Sequence, residues 1–126
     1  MAEDLTKKGM ELRGKLFGDK AAQAGHEYLR QFDEGFADFL NEQVFGNVWV
    51  RPGLPTKTRS MITMAALMAL GRGPELRIHM RGALNLGIPK EEIKELIIHL
   101  SQYSGVPTAV EAIRVYREVT EPKPKA

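Results

Sequence analysis

The stretch Arg72-Gly-Pro-Glu-Leu-Arg-Ile-His-Met-Arg-Gly-Ala-Leu-Asn-Leu-Gly87 decides the fold. Pro74 fits the first turn of a helix, where its missing N–H is unpaired in any case, and Gly87 before Ile88 and Pro89 fits the end. The spacing predicts a helix of about three to four turns. Leu76, Met80, Ala83 and Leu84 share one arc of it, and Arg77, Arg81 and Asn85 share the opposite one. His79 joins the apolar side one turn after Glu75, so a carboxylate and an imidazole can meet on an otherwise dry face. Arg72 stands just ahead, within reach of the same region. Packing alone accounts for His79 as a core histidine held by Glu75, so the rest of the chain must decide between a structural and a chemical role.

Working downstream, Pro89-Lys90-Glu91-Glu92 opens a helix with acidic residues where the dipole favours them. Ile93, Leu96, Ile97, Leu100 and Tyr103 make its apolar face, with His99 beside it. Gly105 and Pro107 are read as its end, and Thr108 to Val119 as a last helix with Val110, Ile113 and Tyr116 inward. Residues 121–126 are read as a frayed tail.

Upstream, Thr56 can cap a helix that runs to Leu70 and is apolar almost all round from Met61, which predicts a central, fully buried element. Before it, Phe45 to Pro55 holds two prolines and two glycines and is read as a loop that carries Trp49 and Arg51. Tyr28, Leu29, Phe32, Phe36, Phe39, Leu40 and Val44 recur at threes and fours, predicting one long amphipathic helix whose aromatic stripe is core or subunit contact. Gly35 inside it suggests a close backbone neighbour. Glu3 to Phe17 reads as a short first helix ended by Gly18. No stretch alternates at period two for long enough to be a strand, so the expected class is all-α, six helices in one domain over residues 1–120.

Composition narrows the function. The 126 residues carry 18 basic and 16 acidic side chains, both signs spread along the chain, so there is no footprint for nucleic acid. The start lacks an apolar secretory core, and Met61 to Leu70 is only about half a bilayer span, so a soluble cytoplasmic protein without membrane association is expected. Cysteine is absent, which removes thiol nucleophiles, redox pairs and zinc–thiolate sites. His26, His79 and His99 are far apart without carboxylate clusters, which argues against a metal. There is no phosphate-binding glycine loop and no nucleophile elbow. What remains is His79 and Glu75, with His99 and Tyr103, and arginines at 51, 59, 72 and 81, a set suited to a small anionic substrate.

In order, Trp49-x-Arg51-Pro52-Gly53-Leu54, Thr58-Arg59-Ser60, Ala69-Leu70-Gly71-Arg72, Glu75-Leu76, His79-x-Arg81-Gly82-Ala83-Leu84-Asn85-x-Gly87, Glu91-Glu92-Ile93 and His99-Leu100-x-x-Tyr103-x-Gly105-x-Pro107 resemble the 4-carboxymuconolactone decarboxylase family. The likeness runs from about Phe36 to Ala112. It implies an all-helical subunit in a closed homo-oligomer, typically a hexamer, with no cofactor. The implied reaction is loss of carbon dioxide from 4-carboxymuconolactone to give 3-oxoadipate enol-lactone. The wider superfamily includes the alkylhydroperoxidase D peroxidases, with Cys-x-x-Cys-x-x-x-His. His79 falls on their histidine, Arg72 and Glu75 fall where the cysteines stand, and Ser60 falls near the relay glutamate. Thiol peroxidase chemistry is therefore excluded.

That reaction leaves a dienolate, with charge on the lactone oxygen, to be protonated at carbon. His79, oriented by Glu75, fits as proton donor or oxyanion partner, with Arg72 nearby. Arg51 and Arg59 fit as clamps on the substrate's acetate arm, beside Trp49, and His99 and Tyr103 as further binding groups. A same-fold enzyme acting on another carboxylate or lactone, or a non-catalytic binding protein, fits the same motifs.

Overall fold

The computed structural model describes residues 2–122, and among them every regular element is helical. The elements are α1 (Ala2–Phe17), α2 (Asp19–Phe32), α3 (Glu34–Phe39), a π-helical segment π1 (Leu40–Val48), α4 (Thr56–Ala69), α5 (Gly73–Asn85), α6 (Lys90–Ser104) and α7 (Val106–Thr120). The all-α class stands, while the count of six does not: seven α-helices and one π segment are present among the described residues. Most of the tail expected at 121–126 lies outside the described residues. The chain divides into two compact units, one ending at Arg59 and the other starting at Ser60.

In the first unit the long aromatic helix is broken. Asp33 adopts an extended backbone, φ −163°, and its Oδ2 accepts from the Phe36 N–H at 2.7 Å, capping α3. Aspartate tolerates an exposed helix position but competes for backbone N–H groups when it can cap, and here capping wins. Beyond α3 the ladder widens: the Trp49 N–H donates to the Val44 carbonyl at 2.9 Å, five residues back. Phe45 to Val48, expected as loop, are therefore the end of π1. Gly46 permits its closeness to α1, since a Cβ there would overlap the Leu5 carbonyl oxygen. The core is Leu12, Leu16, Ala22, Ala37, Phe45 and Trp49. Tyr28, Phe32, Phe36 and Phe39 are exposed, Phe32 by 82%, so the aromatic stripe is not core. Gly35 is also exposed, and of the atoms near it only Asp33 Oδ2 would come within 4 Å of a Cβ, so the expected backbone neighbour is absent.

The second unit is a helical sandwich around a methionine-rich core. Ser60, Met64 and Met68, four residues apart, form the buried stripe of α4, while Ile62 on another side is 53% exposed and Leu70, just past its end, 74% exposed. The helix is thus half-covered, not buried all round as its apolarity suggested. The α5 reading holds: Leu76, Met80 and Ala83 are buried together with Met64, Met68, Ile93, Ile97 and Ile88. The last helix departs from expectation in part: Tyr116 packs against the core as expected, but Ala109, Ala112 and Val115 are buried while Val110 and Ile113 are about 40% exposed. Pro107 sits in its first turn and does not end α6. Gly105 alone, at φ 96°, separates the two helices. Arg77, placed on the polar arc of α5, donates through Nε and Nη2 to Glu118 of α7.

Candidate active site

The residues singled out from the sequence fall into three local groups. On α5, Pro74 in the first turn starts the helix directly after Arg72. Arg72 Nη2 donates to Glu75 Oε1 at 3.2 Å, both side chains being largely exposed. The carboxyl of Glu75 is held below its ordinary range, first by a backbone N–H and then by Arg72. Glu75 is thus given to Arg72, three residues earlier, and the expected Glu75–His79 pairing is not what shapes the imidazole. Burial pushes the pKa of His79 down to about 4. Its ring nitrogen Nδ1 lies away from solvent. At neutral pH this is an uncharged imidazole, able to donate one N–H to a developing oxyanion.

That depression has a measurable consequence for stability. The unfolded chain takes up a proton near pH 6.5 and the native ring does not until about pH 4. Stability therefore falls as pH drops through this window and levels off below it, by at most about 3–4 kcal/mol. Urea midpoints measured from pH 7 to pH 4 should fall for the wild type and flatten for His79→Gln. An unchanged slope in the variant would show that His79 does not titrate this way.

On α6, His99 and Tyr103 stack at one helical turn, ring centroids 5.4 Å apart and tilted by 36°. Tyr103 is 78% exposed. His99 lines an open groove of about 540 Å³ with Met61, Ala65, Leu96 and Leu100 on its floor and Glu91, Glu92 and Glu95 on its rim. The rim was overlooked in the sequence, although Glu91, Glu95 and His99 recur at i, i+4, i+8 on one face. Three carboxylates repel a dianion, so the groove itself is a poor fit to the substrate class. A second cleft of about 340 Å³, on the other side of α6, is lined by Lys94, Ile97, Ile98, Ile113, Tyr116, Arg117 and Glu121. Its Arg117 is already paired with Glu121 at 3.8 Å.

In the first unit, Trp49 is buried against Phe45, ring centroids 6.0 Å apart and 30° from parallel. Arg51 is exposed, and its carbonyl accepts from Arg59 Nη2 at 3.1 Å, so the Trp49–Pro55 loop is pinned to the start of α4. Pro52 holds Arg51 out of helical backbone, which projects its guanidinium outward. The structure thus brings Trp49, Arg51 and Arg59 together, pairs Arg72 with Glu75 and stacks His99 on Tyr103. Among the described residues no group of three or more His, Cys, Asp or Glu side chains is placed to hold a metal ion, and no helix is long and apolar enough to cross a membrane.

The chain belongs to the carboxymuconolactone decarboxylase family, whose model matches residues 34–118. It is 44% identical to the 4-carboxymuconolactone decarboxylase of Acinetobacter baylyi over 117 residues, 93% of this chain and 87% of that protein. It is 32% identical to the nitrosuccinic acid decarboxylase npaB of Metarhizium robertsii, covering 85% of this chain and 75% of that protein. An uncharacterized 15.0 kDa protein of Paracoccus denitrificans is 31% identical, covering 83% of this chain and 90% of its own length.

Proposed function

We propose that the protein is a cofactor-free carboxy-lyase that converts 4-carboxymuconolactone to 3-oxoadipate enol-lactone and carbon dioxide, in aromatic-acid breakdown by way of protocatechuate. The observation that carries this reading is the 44% identity, over nearly the whole chain, to a relative of that name. The neutral, desolvated His79 supports it. Heterolysis of the bond to the leaving carboxylate puts its electron pair into a dienolate, which then takes up a solvent-derived proton at the carbon next to the lactone carbonyl. The transition state gains from an N–H aimed at the lactone oxygen where that charge arrives. Arg51 and Arg59 hold the acetate arm. A cation on the departing carboxylate would instead stabilise the ground state and slow the step. Exposed Tyr103, stacked on His99, supplies further binding surface, buried Trp49 backs the Arg51 loop, and the Arg72–Glu75 pair fixes the charge at the start of the His79 helix.

Residues 1–120 act as one catalytic domain, since the family match crosses both compact units. The working form is a cytoplasmic homo-oligomer, a hexamer by the family resemblance, and the exposed Tyr28, Phe32, Phe36 and Phe39 are the surface that needs such cover.

The npaB relative favours a second substrate. Nitrosuccinate, like the lactone, carries its leaving carboxylate on a carbon joined to an oxygen-bearing electron sink, directly in the nitro acid and through the ring C=C in the lactone, with a CH₂-carboxylate arm on the same carbon. The test is turnover of both acids by the purified protein, followed by loss of ultraviolet absorbance for the lactone and by carbon dioxide release for the nitro acid. Lactone turnover at an ordinary enzymatic rate is expected, on the order of 1 s⁻¹ or more. Turnover of the nitro acid alone would replace the first reading with the second, and turnover of neither by a folded oligomer would leave an enzyme acting on another carboxylate or lactone, or a binding protein.

A further inference from the structure

Arg13 is the most unusual charge in the first unit. It lies in α1, is 5% exposed, and burial lowers its pKa. No carboxylate among the described residues pairs with it. Its Nη1 is shared by three neutral acceptors at long range: Met10 Sδ at 4.0 Å, His26 Nδ1 at 3.4 Å and Asn41 Oδ1 at 3.5 Å. Its Nε is buried and has no hydrogen-bond partner. The guanidinium carbon sits 5.1 Å from the centre of the Phe45 ring. A buried cation held so weakly does little for stability, because desolvation offsets what the contacts return.

Position explains it better. Asn41 and Phe45 are successive turns of π1, and Phe45 in turn stacks on Trp49. Asn41 is fully buried, and its Nδ2 donates to the Thr6 carbonyl at 3.0 Å. Thr6 Oγ1 donates to Glu42 Oε1 at 2.9 Å. α1 therefore grips π1 on several sides, and Arg13 is the group that touches the ring leading to Trp49 and the Arg51 loop. Because guanidinium only donates, His26 must present Nδ1 as a bare acceptor, leaving its Nε2 to face Asp38 at 3.9 Å. This ties α2 and α3 to the same point.

We propose that Arg13 is a positioning residue: through Phe45 it sets the register of the π-helix, and so the placement of Trp49 and of the substrate-gripping Arg51. The functional half of this rests on the role proposed for Arg51, while the structural half does not. Trp49 is the only tryptophan in the chain, so its fluorescence reports the placement directly.

The experiment uses full-length Arg13→Met, which removes the cation and keeps the bulk. Expected are unchanged far-ultraviolet circular dichroism, a red-shifted Trp49 emission with faster acrylamide quenching, and a KM raised about tenfold or more at nearly constant kcat. A folded variant with wild-type Trp49 emission and wild-type KM overturns the proposal. Should Arg13→Met fail to fold, His26→Phe, which removes an acceptor of Arg13 and leaves the arginine in place, is read in the same way. If Trp49 shifts while Arg51→Ala leaves KM unchanged, the role of Arg51 fails and the positioning of Trp49 stands.

Discussion

Replacing His79 with alanine lowers kcat for 4-carboxymuconolactone by roughly 10²- to 10³-fold with little change in KM, the range expected when one oxyanion donor is lost. The loss falls on kcat because the lactone oxygen gains its charge only as the carboxylate leaves. Circular dichroism of the variant must match the wild type, since His79 also packs beside the α5 core. If a folded variant keeps its kcat, His79 is a packing residue. The pH profile separates the two forms of the ring. With a free-enzyme pKa of about 4, the neutral imidazole is in large excess above pH 5, so this group should leave kcat/KM flat up to pH 8. If the imidazolium were the working form, kcat/KM would climb about tenfold for each unit of acidification towards pH 4.

The second large effect is on binding. Arg51→Ala removes an exposed guanidinium without disturbing its own carbonyl, which holds Arg59. Losing a hydrogen bond to a charged group costs about 1.5–3 kcal/mol, a rise of roughly 10- to 150-fold in KM. Arg59→Ala should cost at least as much, because it deletes a charge and also frees the loop. kcat should change little, since the acetate arm is bound alike in the ground and transition states. Arg51→Lys recovers the charge but not the planar fork, so its KM should fall between the two. Unchanged KM in both alanine variants would dismiss the arginine clamp.

What could be read in the sequence follows from what leaves a periodic trace. α5 was legible because Pro74 and Gly87 punctuate it and its buried residues, Leu76, Met80 and Ala83, repeat at helical spacing. On α7 only Tyr116 was placed inward correctly, because Ala109 and Ala112 are too small to stand out beside Val110 and Ile113, yet small residues are what let two helices approach. Asp33 left no mark because its capping bond exists only once the chain has turned. At the site, the Trp49, Arg51 and Arg59 grouping was legible from the loop's prolines and glycines. The partner of Glu75 was not: His79 and Arg72 both lie one turn away, and the charged partner prevails. Arg13 was invisible, since an arginine in an amphipathic helix ordinarily reads as surface.

The methionine core of the second unit also bears on durability. Met64, Met68 and Met80 are between 0% and 2% exposed, and the chain has no thiol. Sulfoxide formation follows access to solvent, so peroxide meets a folded subunit whose central sulfurs are shielded and whose proposed chemistry needs none. Catalysis of this kind is indifferent to reductants, because no step of the proposed chemistry passes through sulfur.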